Sequence, residues 1–462
     1  MIFKKNRFIC RTKCFSCYNI HDIYFKGDFM NFTESFICPT CGKKHDSKVS
    51  DCFIGKGALA HLTDIIIKYN SHMPYVLCDI NTYAAAGTNV SALLIESKID
   101  SVLHIINSPE PSPDEKTVGE AVMYCPKNVD FIIGVGGGVI NDTCKILAMT
   151  KNVPMAIVGT APSMDGFASA TSSVDRSGLK VSLPSKCPDC VIGDTEILAS
   201  APIHNIRSGI GDMLAKYVSL AEWKIANILL GEYYCEKVAD TMRAALDKCI
   251  SNAPAAVNHD ENAVSSVMEG LTLGGIMMNW AGISRPASGM EHYISHIIDM
   301  RALEFGAPHD YHGIECGIAT LYTIRMYENL CGVLSKPIDT EKAIKHAESY
   351  DLNAHFSYMR EKLGRGAEAM ISLEAKEGKY SPIKHKERIK TIAAKREEIL
   401  DVIKTLPKSE ELEKTMLSIG LPTKFSEIGL NDDDVKTAVL LARDIRDKYV
   451  LGRLLWDLGL TD

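Results

Sequence analysis

The sequence predicts an α/β nucleotide-binding domain followed by an all-α domain, with a small zinc-ribbon-like module ahead of both. Three observations support this fold class. Short apolar strands alternate with helices from about residue 51 to residue 200, a glycine-rich turn follows one of those strands, and helical apolar spacing dominates beyond residue 200. Such alternation is typical of a doubly wound parallel sheet. We therefore expect domains at residues 1–50, 51–200 and 201–462.

The composition is that of an ordinary globular protein. The chain has 462 residues, enough for two or three cores, with 46% hydrophobic and 24% charged residues. A net charge of −7 argues against a general nucleic-acid or anionic-membrane binder. No apolar run approaches the roughly 20 residues that span a bilayer. The 15 cysteines come without a secretion signal, which favours a reducing compartment, so we expect a cytoplasmic protein.

The first fifty residues contain two Cys-x-x-Cys pairs separated by twenty residues, a spacing typical of a zinc ribbon. The four predicted ligands of a structural zinc ion are Cys14, Cys17, Cys38 and Cys41. Residues 22–26 and 35–37 are predicted as the two strands that bring the pairs together. Free thiols at chance spacing are the alternative. A closed four-cysteine site leaves no open position for substrate, so we assign it no catalytic role.

The glycine-rich turn joins a predicted strand at residues 131–135 to a predicted helix at residues 139–147. Its three glycines are Gly136, Gly137 and Gly138. Without Cβ atoms the backbone can approach a pyrophosphate closely, and the N-terminus of the helix favours its negative charge. An ordinary strand–turn–helix unit is the alternative interpretation. Together with the features below, the turn predicts a dinucleotide site.

Two further strand ends point to the same site. A strand at residues 153–158 leads into the polar loop Thr160-Ala161-Pro162-Ser163, which suits the next part of a nucleotide. Asp79 ends the strand at residues 75–78, where a carboxylate can accept hydrogen bonds from a ribose diol and repel a 2′-phosphate. A plain turn or helix cap is the alternative for Asp79.

The helical half offers metal ligands at three places. Asp212 enters a helix after glycines, His292 and His296 are four residues apart on one helix face, and His309 and His312 share a loop. One aspartate and two histidines would hold a divalent ion with open positions, as a Lewis-acid site requires. Each histidine taken alone is more often structural. In a separate turn beside the nucleotide loop, Asp165 supplies a polar group for a small hydroxylated substrate.

Four segments together resemble the sn-glycerol-1-phosphate dehydrogenases. They are residues 136–142, residues 160–166, residues 208–212 with Lys216, and residues 288–296. That family belongs to the superfamily of glycerol dehydrogenases, iron-type alcohol dehydrogenases and dehydroquinate synthases. The similarity runs from about residue 52 to residue 330, and the run at 160–166 is its most specific motif. It implies an active site in the cleft between the α/β and α-helical domains.

The resemblance also implies roles for single residues. The metal ligands would be Asp212, His292 and His312, with His309 as a rival for the third position. Asp165 and His296 match positions that touch substrate, and Asp212 with these two forms the catalytic set. The nucleotide contacts would be Asp79, Gly136, Gly137, Gly138, Val139, Ile140, Asn141, Asp142, Thr160, Ala161, Pro162, Ser163 and Ser169.

The implied reaction is reversible hydride transfer between NAD(H) or NADP(H) and dihydroxyacetone phosphate, giving sn-glycerol 1-phosphate. One catalytic divalent metal ion (zinc, nickel or iron) would take part, beside the structural zinc, and a homo-oligomer is expected. Rival interpretations are a glycerol or other polyol dehydrogenase, an NAD-dependent cyclase of the dehydroquinate synthase type, and a non-catalytic scaffold. Intact ligands argue against the scaffold. The groups that bind the phosphate are not visible in the sequence.

Overall fold

A parallel six-stranded sheet forms the first half of the molecule. The computed structural model describes residues 35–108, 110–177 and 179–461. In this part of the chain the strands are β1 (Phe36–Ile37), β2 (Lys44–His45), β3 (Asp51–Gly55), β4 (Pro74–Asp79), β5 (Val102–Ile106), β6 (Phe131–Gly136), β7 (Met155–Gly159), β8 (Thr171–Arg176), β9 (Leu179–Pro184) and β10 (Cys190–Asp194).

The strand order of the main sheet is β3-β10-β7-β6-β4-β5, with all pairs parallel. Every residue of β4, β6, β7 and β10 is buried, as expected for strands covered by helices on both faces. Because β6 and β7 are neighbours and Gly136 pairs with Gly159, the chain leaves both strands side by side. The glycine turn and the loop that begins at Thr160 therefore share one edge of the sheet.

Five helices connect or flank these strands. They are α1 (His61–Lys68), α2 (Ile80–Thr82), α3 (Thr88–Glu96), α4 (Glu115–Tyr124) and α5 (Gly138–Lys151). Short 3-10 or π segments occur at Ala58–Ala60, Tyr83–Gly87 and Asp165–Ala168. A separate antiparallel hairpin, β8 with β9, follows the segment Asp165–Ala168.

After β10 the described elements are all helical. They are α6 (Thr195–Ala199), α7 (Ile203–Leu214), α8 (Lys216–Leu230), α9 (Glu236–Ala256), α10 (Glu261–Ala281), α11 (Met290–Phe305), α12 (His312–Leu334), α13 (Thr340–Ser349), α14 (Leu352–Leu363), α15 (Ala367–Glu377), α16 (Pro382–Ala394), α17 (Arg396–Ile403), α18 (Ser409–Ser418), α19 (Asp432–Leu441) and α20 (Leu451–Asp457), with 3-10 turns at Gly364–Gly366, Phe425–Ile428 and Ala442–Asp444. One hydrophobic core includes Cys38 in the β1–β2 hairpin, Ile54 and Val191 in the sheet, and residues of the helical part as far as Leu458 after α20.

The predicted fold class is confirmed: a parallel sheet with helices precedes a large helical part. The strand predicted at residues 131–135 extends to Gly136, and its helix begins at Gly138 and ends at Lys151. No helix within residues 35–108, 110–177 and 179–461 is long and apolar enough to cross a membrane.

The N-terminal module contains a strand pair that the sequence did not predict. Residues 36–37 pair with Lys44–His45, whereas the expected partner at residues 22–26 lies outside the described residues. The reason is local: Gly42 adopts a left-handed conformation (φ +70°), and Cys38 N–H donates to Lys43 O at 2.9 Å. This closes a tight hairpin around Cys38 and Cys41. The other two predicted zinc ligands, Cys14 and Cys17, also lie outside the described residues.

Candidate active site

Glycines allow two helices and one loop to meet without side chains between them. A Cβ atom on Gly211 of α7 would lie 2.1 Å from Gly313 O of α12, and one on Gly209 would lie 1.9 Å from Pro162 O. A Cβ atom cannot lie this close to a carbonyl oxygen, so only glycine fits at these two positions. Ser208 Oγ also donates to Ser163 O at 2.9 Å. The contacts bring Asp212, the first turn of α12 and the loop after β7 together.

Asp212 is fully buried and held from two sides. Asp165 N–H donates to Asp212 Oδ2 at 2.9 Å, and Lys216 Nζ donates to Asp212 Oδ1 at 2.8 Å. The same ammonium reaches Asp165 Oδ2 at 2.5 Å and Ala287 O at 3.1 Å. Burial alone would raise the pKa of Asp212, but Lys216, aided by His292 and His312, lowers it to about 2. Asp212 is therefore a carboxylate at neutral pH.

His292 presents one ring nitrogen to Asp212. Its Nε2 lies 3.6 Å from Asp212 Oδ1, while its Nδ1 lies 2.8 Å from Glu291 Oε1. A carboxylate on the far nitrogen is the usual device that orients a metal-binding imidazole. Burial, with the charge of Lys216, lowers the pKa of His292 to about 4. The ring is thus neutral and free to ligate through Nε2.

His312 stands at the start of α12 and is oriented in the same way. Its Nδ1 lies 2.9 Å from Ser295 Oγ, and that hydroxyl donates to Glu315 Oε2 at 2.6 Å. The rings of His292 and His312 have centroids 4.9 Å apart. Burial lowers the pKa of His312 to about 4. The rival ligand His309 is exposed and belongs to none of the metal-ligand groups found in the described residues.

The donor set fits a divalent metal ion. The ligand atoms of Asp165, Asp212 and His292 lie within 4.8 Å of one another, and so do those of His292, His312 and Cys316. His292 is the shared member, so it links the predicted ligands Asp212 and His312. A carboxylate and two neutral imidazoles suit zinc, iron or nickel.

His296 lies one helical turn beyond His292 and lines the cleft. Its ring stacks on His312 with centroids 5.7 Å apart. Burial and the neighbouring His312 hold the pKa of His296 well below its usual range, so the ring is neutral. Its Nδ1 has no hydrogen-bond partner among the described residues. The nitrogen itself is buried, while the residue lines the cleft.

The glycine turn fits a pyrophosphate. Gly137 is the N-cap of α5, and a Cβ atom there would meet only Ser163 Oγ at 3.8 Å, so the space before the helix is open. Gly136 has no such room, because a Cβ atom would lie 2.6 Å from Ile140 Cγ1. The first backbone N–H groups of a helix have no partner within it, and they point at this space.

Several predicted nucleotide residues face inward instead of lining the cleft with their side chains. Ile140 packs in the core, and Asn141 Nδ2 donates to Gly166 O at 3.1 Å. Buried Lys145 bonds to Asp142 Oδ1 at 3.1 Å and to Ser169 Oγ at 3.0 Å. These groups fix the loop at residues 165–171 against α5. Gly138, Val139, Asp142 and Ser169 do line the cleft.

Asp79 is committed to a cap. Its Oδ1 accepts from Thr82 N–H at 2.8 Å and its own N–H donates to Thr82 Oγ1 at 3.0 Å, which closes a capping box. Burial raises its pKa. Asp79 is the last residue of β4, the strand beside β6, so it lies at the edge predicted for a ribose. The backbone of Asn81 also donates a hydrogen bond to its carboxylate.

A cleft of about 640 Å³ joins these features. It is lined by the helix start at Gly138, by Asp165, and by His292, His296 and His312. Its cationic lining in the described part of the chain consists of Lys180 on β9 and of Arg446 and Lys448 before α20. Lys180 is paired with Asp299 at 2.9 Å, and Lys448 donates to Ser288 O at 2.8 Å. Arg446 is exposed and contacts Ser182 Oγ at 3.4 Å.

Sequence reasoning missed the cations because they come from distant segments. Lys180 and Arg446 are 266 residues apart in the chain, and no local pattern marks either one. Glu291 and Ser295 carried a weak signal, since they neighbour or face predicted ligands on one helix. Lys216 is four residues after Asp212, so both lie on one face of the chain as it passes from α7 into α8. This spacing allows the ion pair between the two side chains.

The comparisons with known proteins first define a class. Residues 53–202 match the iron-containing alcohol dehydrogenase family. Among solved structures, a probable glycerol dehydrogenase from Sinorhizobium meliloti superposes with a TM-score of 0.56 at 17% identity, covering 89% of this chain and 96% of that one. An alcohol dehydrogenase from Oenococcus oeni gives 0.57 at 16% identity, covering 89% and 97%. The fold is that of this class of metal- and nucleotide-dependent dehydrogenases.

Closer relatives narrow the class. A glycerol-1-phosphate dehydrogenase [NAD(P)+] from Bacillus subtilis is 30% identical over 404 residues, covering 87% of this chain and 89% of the relative. One from the archaeon Methanothrix thermoacetophila is 33% identical over 274 residues, covering 59% and 75%. The chain belongs to the glycerol-1-phosphate dehydrogenase family, and it is an NAD(P)-dependent oxidoreductase.

Proposed function

We propose that the protein reduces dihydroxyacetone phosphate to sn-glycerol 1-phosphate with NADH or NADPH, in the cleft between the sheet and the helical part. The observation that carries this proposal is the content of the cleft. Asp212, His292 and His312 gather beside the open glycine turn, and the same cavity is lined by Lys180, Arg446 and Lys448. A phosphorylated three-carbon ketone needs both a polarising site for its oxygens and cations for its phosphate.

The bound groups would supply a hydride from the nicotinamide and stabilisation of negative charge on the substrate oxygen by a divalent cation. Asp212, His292 and His312 are the residues that would hold the cation. Glu291 and Ser295 position the two imidazoles so that the same nitrogens face the site. Lys216 binds one carboxylate oxygen each of Asp165 and Asp212, and its positive charge keeps the buried Asp212 ionised.

Asp165 and His296 are the residues proposed to touch the substrate. One oxygen of Asp165 is bonded to Lys216, and the side chain still lines the cleft, so it can orient a substrate hydroxyl. His296 lines the same space, and its buried Nδ1 has no hydrogen-bond partner in the described structure. A neutral imidazole there can accept the proton of the alcohol in the oxidation direction and return it in reduction.

The nucleotide would lie with its pyrophosphate at the start of α5. Its contacts there are backbone groups of Gly136 to Ile140, because the side chains of Ile140 and Asn141 are turned inward. Thr160 to Ser163 follow β7 at the same edge of the sheet, and Asp142 and Ser169 line the cleft. Asp79 would take the ribose.

The test is NADH oxidation by metal-loaded protein, with dihydroxyacetone phosphate and dihydroxyacetone compared at equal concentration. Rapid turnover of the phosphate ester, lost on chelation, supports the proposal. Equal turnover of both compounds would instead identify a glycerol dehydrogenase. Absence of net NADH change with either substrate would favour the cyclase.

The phosphate contacts are tested by Arg446→Ala. Loss of one charge-assisted hydrogen bond is worth about 1.5–3 kcal/mol, so the preference in kcat/KM for dihydroxyacetone phosphate over dihydroxyacetone should fall about tenfold or more. Arg360→Ala is the matched control, because Arg360 is exposed and pairs with Glu368. An unchanged preference in Arg446→Ala would remove Arg446 from the phosphate site.

A further inference from the structure

Three cysteines and one histidine converge away from the dehydrogenase site. Cys38, Cys41 and His45 come from the β1–β2 hairpin, and Cys235 is the N-cap residue of α9. Their ligand atoms all lie within 4.8 Å of one another, and three of the four residues are fully buried. We propose that these four side chains bind a structural zinc ion that fastens the hairpin to the helical part.

The distances match a tetrahedral zinc site. The Sγ atoms of Cys38 and Cys235 are 3.7 Å apart, and His45 Nε2 is 3.5 Å from the Sγ atoms of both Cys41 and Cys235. With Zn–S near 2.3 Å and Zn–N near 2.0–2.1 Å, tetrahedral angles place two sulfurs about 3.8 Å apart and a sulfur about 3.6 Å from a nitrogen. The four groups are therefore spaced around a point that an ion of this size fills.

The histidine is oriented as metal ligands are. His45 Nδ1 lies 2.8 Å from Trp280 O, which leaves Nε2 directed at the three sulfurs. The imidazole stacks on the Trp280 ring with centroids 5.7 Å apart, and Phe36 packs on the same ring at 5.0 Å. The hydroxyl of Tyr233 lies 3.4 Å from Cys41 Sγ, within reach to donate a hydrogen bond to a thiolate.

The hairpin is a small element. Its two strands have two residues each, and isolated hairpins of this size are marginal in water. A metal closed by four protein ligands supplies the missing stabilisation in such small units. Three thiolates with one imidazole favour zinc over harder cations. With no open position for water or substrate, the site is structural and has no part in the dehydrogenase reaction.

The proposed zinc ligands differ in two positions from the four cysteines that the Cys-x-x-Cys pairs suggest. Cys38 and Cys41 remain, whereas His45 and Cys235 occupy the positions expected for Cys14 and Cys17. His45 follows Cys41 by four residues, and Cys235 is 197 residues from Cys38. A tetrahedral ion with these four ligands has no coordination position left for Cys14 or Cys17.

The experiment measures zinc in the purified full-length protein and three variants by elemental analysis. We expect Cys235→Ser to hold about one equivalent of zinc per chain less than wild type. Cys249→Ser is the matched control in the same helix, also fully buried, and it should keep the wild-type content. The double variant Cys14→Ser with Cys17→Ser should keep it too. Equal zinc in Cys235→Ser and wild type, or loss in the double variant, would overturn the assignment.

A second measurement tests the zinc ligands even if Cys235→Ser fails to fold. X-ray absorption at the zinc edge, recorded on Cys316→Ala protein, reports sulfur ligands without contribution from the thiol that lies 3.5 Å from His312 Nε2. We expect sulfur and nitrogen in a ratio of about three to one at this site, unchanged when Cys14 and Cys17 are replaced. Zinc bound only by nitrogen and oxygen would overturn the proposal. Absence of dihydroxyacetone phosphate reduction by the wild-type protein, together with this sulfur signal, would refute the proposed function alone.

Discussion

At the scale of single residues, Asp212 has the most constrained side chain of the proposed metal ligands. It is buried, ionised and shared between Lys216 and the backbone of Asp165. Asp212→Asn keeps the shape and removes the charge, so we expect loss of the catalytic metal ion and a fall in kcat of at least about a thousandfold. Elemental analysis and NADH oxidation measure these effects.

The same variant should still bind the nucleotide, because the open space before α5 does not include Asp212. NADH fluorescence titration should give a Kd within about threefold of wild type. Asp240→Asn, a change in a half-buried carboxylate paired with Arg243, serves as the control and should leave the activity unaltered. Substantial turnover in Asp212→Asn would refute its role as a metal ligand.

At this scale, the sequence is most informative where spacing is local. Asp212, His292 and His312 belong to overlapping groups of possible ligands in the structure, and their role as metal ligands stays a prediction. The direction of the Asn141 side chain, which points to the neighbouring loop, was not predictable. A polar residue near a helix start can face either a ligand or such a loop. His45 could have been predicted as a ligand because it lies four residues after the second Cys-x-x-Cys pair. No local pattern in the sequence marks Cys235 as a ligand.

At the scale of secondary-structure elements, the crossing of α7 and α12 sets the geometry of the site. Gly211→Ala would place a methyl group 2.1 Å from Gly313 O, so the helices must separate. Overpacking of this kind costs about 1–3 kcal/mol, and more where backbone must move. We expect lower stability in urea together with weaker metal binding, because Asp212 follows directly.

Gly332→Ala provides the matched control for that variant. Gly332 lies in α12 itself, and a Cβ atom there meets nothing within 4 Å. Alanine is favoured over glycine in a helix by roughly 1 kcal/mol, so this variant should be as stable as wild type or more so. If Gly211→Ala behaved like Gly332→Ala, the glycine contact would not determine the helix crossing.

Elements were the most predictable level of the structure. The strands at residues 74–79, 131–136 and 155–159 follow from buried apolar runs, and the intervening helices follow from amphipathic spacing. The pairing of β1 with β2 was missed because two-residue strands carry no periodicity. The β8–β9 hairpin was not predicted either, since its alternation of buried and exposed residues is incomplete.

At the scale of the whole molecule, a buried charged cluster joins the C-terminal helices. Burial alone would raise the pKa of Asp444, but the hydrogen bond with His355 and the charges of Arg443 and Arg453 hold it well below its usual range. The carboxylate therefore stabilises the fold above the ordinary carboxyl pKa of about 3.9, and this contribution is lost as pH falls through and below that value.

Asp444→Asn should lower the free energy of unfolding at neutral pH by about 3–5 kcal/mol, the cost of breaking a buried charge network. The difference from wild type should narrow as the pH falls below about 4. Urea denaturation at several pH values measures both effects. Asp433→Asn, which alters an exposed partner of Lys362, should change stability by less than about 1 kcal/mol. A gap between Asp444→Asn and wild type that does not vary with pH would contradict this assignment.

The hydrogen bond from Asp165 N–H to Asp212 Oδ2 has a thermodynamic consequence. Asp165 lies two residues after the loop at residues 160–163, which is proposed to contact the nucleotide, and its backbone binds a carboxylate oxygen proposed to hold the ion. Under these proposed roles, the affinities for nucleotide and for the divalent ion are linked, by a factor no larger than the roughly threefold change expected in Asp212→Asn. By reciprocity, the factor by which the ion changes the nucleotide Kd equals the factor by which the nucleotide changes that of the ion.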